Sequence, residues 1–450
     1  MTTTTPTTAQ AKPLNEAYWW QAAPLTSLAQ RPIGPSCDVA IVGAGYTGLS
    51  AAITLARAGR SVQVFDKQRP GEGASTRNGG ITSGNLRPTN EKLASRFGPE
   101  TARAILEEGK AAREDLYRFL EQEKIDCDFA LTGRFNGAFA AKDYETLARD
   151  ADHLHQTLGI ESYAVPRTGQ RDYLGTDTYH GGSVRMDIGG LHPAKYHAGM
   201  LRVALEAGVV IHGETPVTHI AEATPNWTVT TPRGNTTAAH ILTCTNGYTD
   251  RSDRWLRRRL VPIRSRIIAT APLSPNLMGD LMPRRMMCTE TRQLHYYYRP
   301  SPDGTRILFG GRDGTISGDP AWPTEALRQA MIDIFPMLDD TPIDYSWFGN
   351  VAMSRDMIPR IFAHGGKRYA AGYCGSGTVW ARWAGQKAAL QILGDSAGAS
   401  ALDMRPPAAV PLFNGTPWFM PAVFAWMSTQ DKRAARASPL PERVGPGVGG

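Results

Sequence analysis

Three glycines and one acid carry the first chemical signal. Gly43-x-Gly45-x-x-Gly48 is followed by Asp66. A turn of this kind holds a pyrophosphate. Gly43 permits the tight turn, Gly45 lets the backbone approach the phosphate oxygens, and Gly48 lets the next helix pack close to the preceding strand. Tyr46 and Thr47 open that helix, and its first N–H groups and positive dipole end favour an anion. An acid about 20 residues further on can hydrogen-bond the hydroxyls of an adenosine ribose. Asp66, with Lys67 beside it, stands there. An acid rather than an arginine argues against a 2′-phosphate, but it does not separate FAD from NAD. A second donor loop follows in Ser75, Thr76, Arg77, Asn78, Gly79 and Gly80. Such residues make poor core, and their amides and Arg77 suit a backbone lying against a flat or charged ligand. Two later turns of small residues can approach the same ligand. One contains Thr245 and Gly247; the other contains Gly372, Gly375, Ser376, Gly377 and Thr378.

The elements that must position these turns are legible from periodicity. Val39, Ile41 and Val42 read as a buried parallel strand. Leu49, Ala52, Ile53 and Ala56 have helical spacing over 47–58, Gly59 ends that helix, and 61–65 is a second strand. Further helices are expected over 89–98, 100–124, 143–158, 193–207, 323–335 and up to about 393 after Thr378. A hairpin is expected within 127–140, around Thr132-Gly133 and Asn136-Gly137, and another over 227–243. A short strand is expected from Val209 to His212, continuing toward Val217. Strands at 266–273, 293–298, 306–310 and 345–351 suit a mixed sheet in a second domain.

The 450 residues are 41% hydrophobic and 20% charged, enough for two closely linked domains and a large core. The net charge is +7, but the basic residues are scattered. The densest group, Arg254, Arg257, Arg258 and Arg259, reads as a solvated face, so no nucleic-acid partner is expected. Five cysteines without a CxxC pair fit a reducing, cytoplasmic setting, with no disulfide framework and no metal site. The Thr-rich start shows no signal peptide. No stretch approaches the roughly 18 apolar residues of a membrane span. Residues 1–12 read as a flexible arm. Tyr18-Trp19-Trp20 reads as cover for an apolar patch or as part of a site.

With these motifs in order, the chain resembles the FAD-dependent D-amino-acid oxidase superfamily of glycine, sarcosine and amine oxidases, and within it the bacterial gamma-glutamylputrescine oxidase type. The resemblance rests on Val42 to Ser50, Gly73 to Gly80, Tyr297-Tyr-Arg299 before Phe309-Gly-Gly-Arg312, Asp356-x-x-Pro359 and Ala371 to Thr378. It implies an α/β fold: a Rossmann-like FAD-binding domain interleaved with an α+β substrate domain carrying a mixed, mostly antiparallel sheet. The implied boundaries are an N-terminal arm over 1–35, the FAD domain over 36–110, 175–260 and 340–400, and the substrate domain over 111–174 and 261–339. A C-terminal packing segment covers 401–431 and a disordered tail 432–450. Gly43, Gly45, Gly48 and Asp66 would hold the ADP half. Ser75, Arg77, Asn78, Gly79 and Gly80 would reach the pyrophosphate and flavin edge, and Val217 would give a backbone contact to adenine. Gly372, Gly375, Gly377 and Thr378 would lie at the ring. No cysteine lies between Asn350 and Pro359, so FAD is expected to be non-covalent.

A flavin amine oxidase needs a group that takes or disfavours the ammonium proton and a cation near the reduced ring. The substrate would be a small amine or amino acid, and O2 or another acceptor would take the electrons. On the expected strand, either His295 with Tyr297 or Tyr296 with Tyr298 would face the flavin, because side chains alternate. Arg266 and Arg312 are candidates to bind a substrate carboxylate. Asp356 is a candidate to orient substrate or to cap a turn.

Overall fold

The computed structural model describes residues 12–440. Two eight-stranded sheets organise it. In the first, Ser36–Val42 lies between Val62–Phe65 and Gly234–Thr243 and runs parallel to both. Val210–His212 continues the sheet beyond Val62–Phe65, and the pair Arg360–His364 and Lys367–Ala371 extends the other edge. Val39, Ala40 and Ile41 are fully buried, as a strand covered on both faces requires. Helix Tyr46–Arg57 packs against helix Gly377–Leu393. At their closest approach a side chain on Gly385 would overlap the Thr47 carbonyl oxygen. Two segments more than 300 residues apart in sequence are therefore locked together next to the glycine turn.

The second sheet runs in the order Ile343–Met353, Val261–Thr270, Ile307–Arg312, Tyr297–Pro300, Met287–Glu290, Arg134–Gly137, Gly182–Arg185, Ser162–Val165. One row of partners crosses it through Gly310, Tyr297, Thr289, Asn136 and Ser183. One face packs on Leu327, Met331, Ile334 and Phe335, supplied by helix Trp322–Ile334 and the residue after it. On the other face Ser265, Arg312, Tyr297, Thr289 and Asn136 line one cavity.

Several expectations need correction. The hairpin expected within 127–140 does not form. Arg134–Gly137 instead pairs with Met287–Glu290 and Gly182–Arg185, because apolar partners distant in sequence outweigh a local turn signal. The strand beginning at Val210 stops at His212 and does not reach Val217. Ile343–Met353 and Gly182–Arg185 fall inside the expected FAD-domain boundaries yet are ladders of the second sheet. Helix Pro99–Gln122 buries Ala102, Ile105, Ala112 and Leu116 against the core of the first sheet, not the second. The expected N-terminal arm is packed from Leu14 on, where it bridges to Tyr345; residues 1–11 lie outside the described residues. The expected disordered tail is helical as far as Ala437, and 441–450 lie outside the described residues.

Candidate active site

The glycine turn opens a narrow groove of about 170 Å³. Gly43 has φ +108°, and a Cβ there would sit 3.0 Å from the Cys244 carbonyl oxygen. A Cβ on Gly45 would sit 2.7 Å from Ser75 Oγ, and one on Gly48 would overlap the Gly43 carbonyl. Gly43 and Gly48 therefore meet the steric needs inferred for them, whereas the neighbour of a Cβ on Gly45 is a side-chain end, Ser75 Oγ. Asp66 accepts from Ala44 N (2.7 Å) and Gln68 N (2.9 Å), which leaves lone pairs on both oxygens for ribose hydroxyls. Burial raises its pKa, opposed by those two backbone bonds. Tyr46, Thr47, Lys67, Ser75, Val217 and Thr245 line the same groove. Beneath the turn lies His197, whose Nε2 donates to the Ala44 carbonyl at 2.8 Å. A Cβ on Gly71 would lie 2.5 Å from its ring. Burial, partly opposed by the Ala44 bond, lowers the His197 pKa to about 4.

The groove runs into a cavity of about 1140 Å³, and the two share the walls Ala74, Asn78, Asn350, Val351, Gly375 and Thr378. Thr378 Oγ1 donates to Asn78 Oδ1 at 3.3 Å, so the second donor loop and the last glycine loop are tied together at this wall. Gly79 and Gly80 open onto the cavity, and a Cβ on Gly79 would touch the Tyr297 ring at 3.1 Å. Trp19 Nε1 donates to the Asn78 carbonyl, and Trp20 Nε1 donates to Thr76 Oγ1. The aromatic cluster near the N-terminus thus braces the donor loop.

Register decides which catalytic candidates reach the cavity. Ser265 pairs with Arg312 across two strands, so Arg312 faces the cavity and Arg266, one residue on, faces away. Arg266 is 2% exposed and ion-paired with Asp313 and Asp319. It does not bind substrate. His295 and Tyr297 both line the cavity, while Tyr298 turns into the core against Phe309 and Phe335. The strand starts only at Tyr297. His295 belongs to the turn before it, which Asp431 holds by accepting from Gln293 N and Leu294 N. Asp356 stands at the cavity wall but accepts from Ser354 Oγ and pairs with Arg96 and Arg360, so it caps a turn. Gly247 packs on Asn350, Thr76 bonds Gly71 O, Gly372 N bonds Asn246 Oδ1, and Ser376 stands just before helix Gly377–Leu393 without a side-chain capping bond. None of these four lines either space. Arg77 lines the cavity, yet its guanidinium is held by Glu72 O and Phe348 O beneath the Trp20 ring.

The residue that the motifs did not disclose is Arg87. Its Nε donates to Cys374 O at 3.1 Å, and its two terminal nitrogens lie 3.1 Å from the two ring nitrogens of His295. A neutral imidazole has one acceptor nitrogen, so only one of these contacts is a hydrogen bond. Burial first, then Arg87 and Arg312, hold the His295 pKa well below its usual value. Burial first, then Arg312, lower Arg87 to about 9. Among the described residues no carboxylate is a leading influence on Arg87, His295 or Arg312.

The profile of the FAD dependent oxidoreductase family matches residues 38–390. The chain belongs to this family. Among curated proteins it is 29% identical to "Probable oxidoreductase OrdL" of Rhizobium meliloti over 93% of this chain and 99% of that one. It is 30% identical to "Gamma-glutamylputrescine oxidoreductase" of Escherichia coli over 80% and 84%. Among solved structures it overlays on glycine oxidase from Geobacillus kaustophilus with TM-score 0.70 at 18% identity, over 84% and 99% of the two chains. The fold is that of this FAD-dependent family, and FAD is its cofactor. The chain's own residues fit the ADP half of that cofactor: two sterically required glycines, a ribose-ready Asp66 and a groove that opens at the shared wall. Cys374 lines the groove, but burial raises its pKa. It is a thiol donating to Gly372 O, not a thiolate nucleophile.

Proposed function

We propose that this protein is an oxidase of amines or amino acids, acting at the carbon beside the nitrogen and holding FAD without a covalent link. The observation that carries this reading is the Arg87–Arg312 pair beside a neutral His295 on the wall of the cavity into which the groove runs. The name of the Escherichia coli relative supports an amine. FAD, when bound, accepts the hydride of the substrate C–H bond. The chain's residues then have three tasks. The two guanidiniums disfavour an ammonium in the cavity, so the amine enters neutral with its lone pair free. Arg312 pairs with a carboxylate where the substrate has one. Tyr297, held by Ser265 Oγ at 3.0 Å, sets the direction from which the substrate meets the ring. His295 is assigned to orient Arg87 and not to accept the proton, because its acceptor nitrogen is already met by a guanidinium. The imine product leaves for hydrolysis, and O2 takes the electrons to give hydrogen peroxide.

The test is an anaerobic absorbance scan of the holoprotein against polyamines, N-methyl amino acids and D-amino acids. One amine class should bleach the flavin, and admitted air should restore the band with peroxide formed. Arg312→Gln should slow that bleaching about 100-fold, within the range for one preorganised electrostatic group, at unchanged FAD content. A flavin that no amine bleaches removes the reading. Bleaching without recovery in air replaces O2 with another acceptor.

A further inference from the structure

Helix Met420–Ala437 lies on the surface, and Met420 is its one buried residue. Its inward side chains have tasks already described. Val423, Phe424 and Met427 line the cavity, and Asp431 holds the turn before His295. Its outward side chains have none. Trp418, just before the helix, is followed by Ala422, Trp426, Thr429, Arg433 and Arg436 at steps of three or four residues, and all six are exposed. Trp418 is 57% and Trp426 59% exposed. Leu412, in the loop before them, is 85% exposed and holds φ +57°, a conformation that leucine rarely adopts. A surface helix ordinarily turns polar side chains to water. Two tryptophans and a projecting leucine in one stretch mark a contact surface.

Charge and order along the row choose the partner. From Leu412 to Ala437 the only acid is Asp431, and it is turned inward onto the Gln293 and Leu294 amides. Lys432, Arg433 and Arg436 are exposed, and among the described residues none of them is ion-paired. Apolar groups therefore occupy the first part of the row and cations the last. A lipid interface has the same layering: Trp sits at the edge of the acyl chains, and Lys and Arg reach the phosphates. Trp418 can enter that layer with its polar atom satisfied, because its Nε1 already donates to the Leu412 carbonyl at 3.3 Å. A projecting leucine suits a fluid layer, which needs no fitted pocket. The net charge of +7 adds attraction to an anionic surface. No helix among the described residues is long and apolar enough to cross a membrane, so the contact is peripheral.

We propose that the outward row from Leu412 to Arg436 docks the enzyme on an anionic phospholipid surface. Leu412, Trp418 and Trp426 sit at the acyl boundary, and Lys432, Arg433 and Arg436 sit on the headgroup phosphates. The helix that walls the cavity then lies against the lipid. This docking does not depend on the reaction assigned above, and either can fail without the other.

The holoenzyme is sedimented with vesicles of phosphatidylcholine alone and with vesicles in which about one-third is phosphatidylglycerol. Anionic vesicles should carry the enzyme down at low salt and release most of it at about 0.5 M salt. Zwitterionic vesicles should bind at least 10-fold less. The combined variant Lys432→Gln, Arg433→Gln, Arg436→Gln should weaken anionic-vesicle binding about 100-fold, the product of three cation–surface attractions. Trp418→Ala with Trp426→Ala should weaken it at least 10-fold, and should remove most of the tryptophan quenching by brominated lipid. Both variants should keep the wild-type FAD content and urea midpoint, since neither touches the cavity. No sedimentation with anionic vesicles at low salt overturns the proposal, as does unchanged binding in both variants. Binding to soluble polyglutamate that equals vesicle binding and ignores the tryptophan variant also overturns it, and makes the row a site for an acidic macromolecule.

Discussion

Acid should release FAD by a route that begins at His197. That ring is neutral in the folded protein with a pKa near 4, against about 6.5 in an unfolded chain. A depressed histidine pKa means that the unfolded state binds the proton first. The stability linked to His197 is therefore complete above about pH 6.5 and is lost as pH falls toward 4. Between pH 8 and pH 5 the loss is about 2 kcal/mol for this one ring. His192, also lowered to about 4 chiefly by burial, adds about the same. His197 carries the Ala44 carbonyl and sits under Gly71, so its protonation disturbs the phosphate turn directly. The assay is FAD fluorescence release and the urea midpoint, both followed from pH 8 to pH 5. His197→Gln keeps an N–H for Ala44 O but cannot titrate. It should recover about 2 kcal/mol of the acid loss and hold FAD to lower pH. If His197→Gln loses stability and flavin over the same pH range as wild type, the coupling argued here is wrong.

Other perturbations follow from the same contacts. Gly45→Val should yield folded protein without FAD, checked by the absorbance ratio after purification, because its Cβ meets Ser75 Oγ. Arg266→Met should cost about 3–5 kcal/mol in denaturant unfolding, because it strands the buried Asp313 carboxylate. The protein that remains folded should still reduce its flavin at the normal rate.

The dinucleotide half was legible because its rules are local. A glycine turn, a helix start and an acid at fixed spacing are all read within thirty residues. The cavity was legible only in part, because its walls are set by sheet register. Arg266 and Arg312 look equivalent in sequence, and one residue of register sends Arg266 to two aspartates and Arg312 to the cavity. The same alternation sends Tyr297 to the cavity and Tyr298 to the core, while His295 reaches the cavity from the turn before the strand. Arg87 lies outside any motif and matters through a carbonyl 287 positions later. The failed hairpin at 127–140 has a similar origin. Its turn residues are real signals, but the partners that satisfy Arg134–Gly137 come from strands far along the chain.

The wall between groove and cavity is built from Ala74 and Asn78 at one extreme of the sequence and Gly375 and Thr378 at the other. A ribosome making this chain delivers the glycine turn early and must then add some 300 further residues before Thr378 can reach Asn78. Trp19 waits still longer for Trp347, its ring neighbour at 6.4 Å. During synthesis the phosphate turn is thus exposed without its ring-side wall. The wall on which groove and cavity meet is therefore complete only once Thr378 has been made.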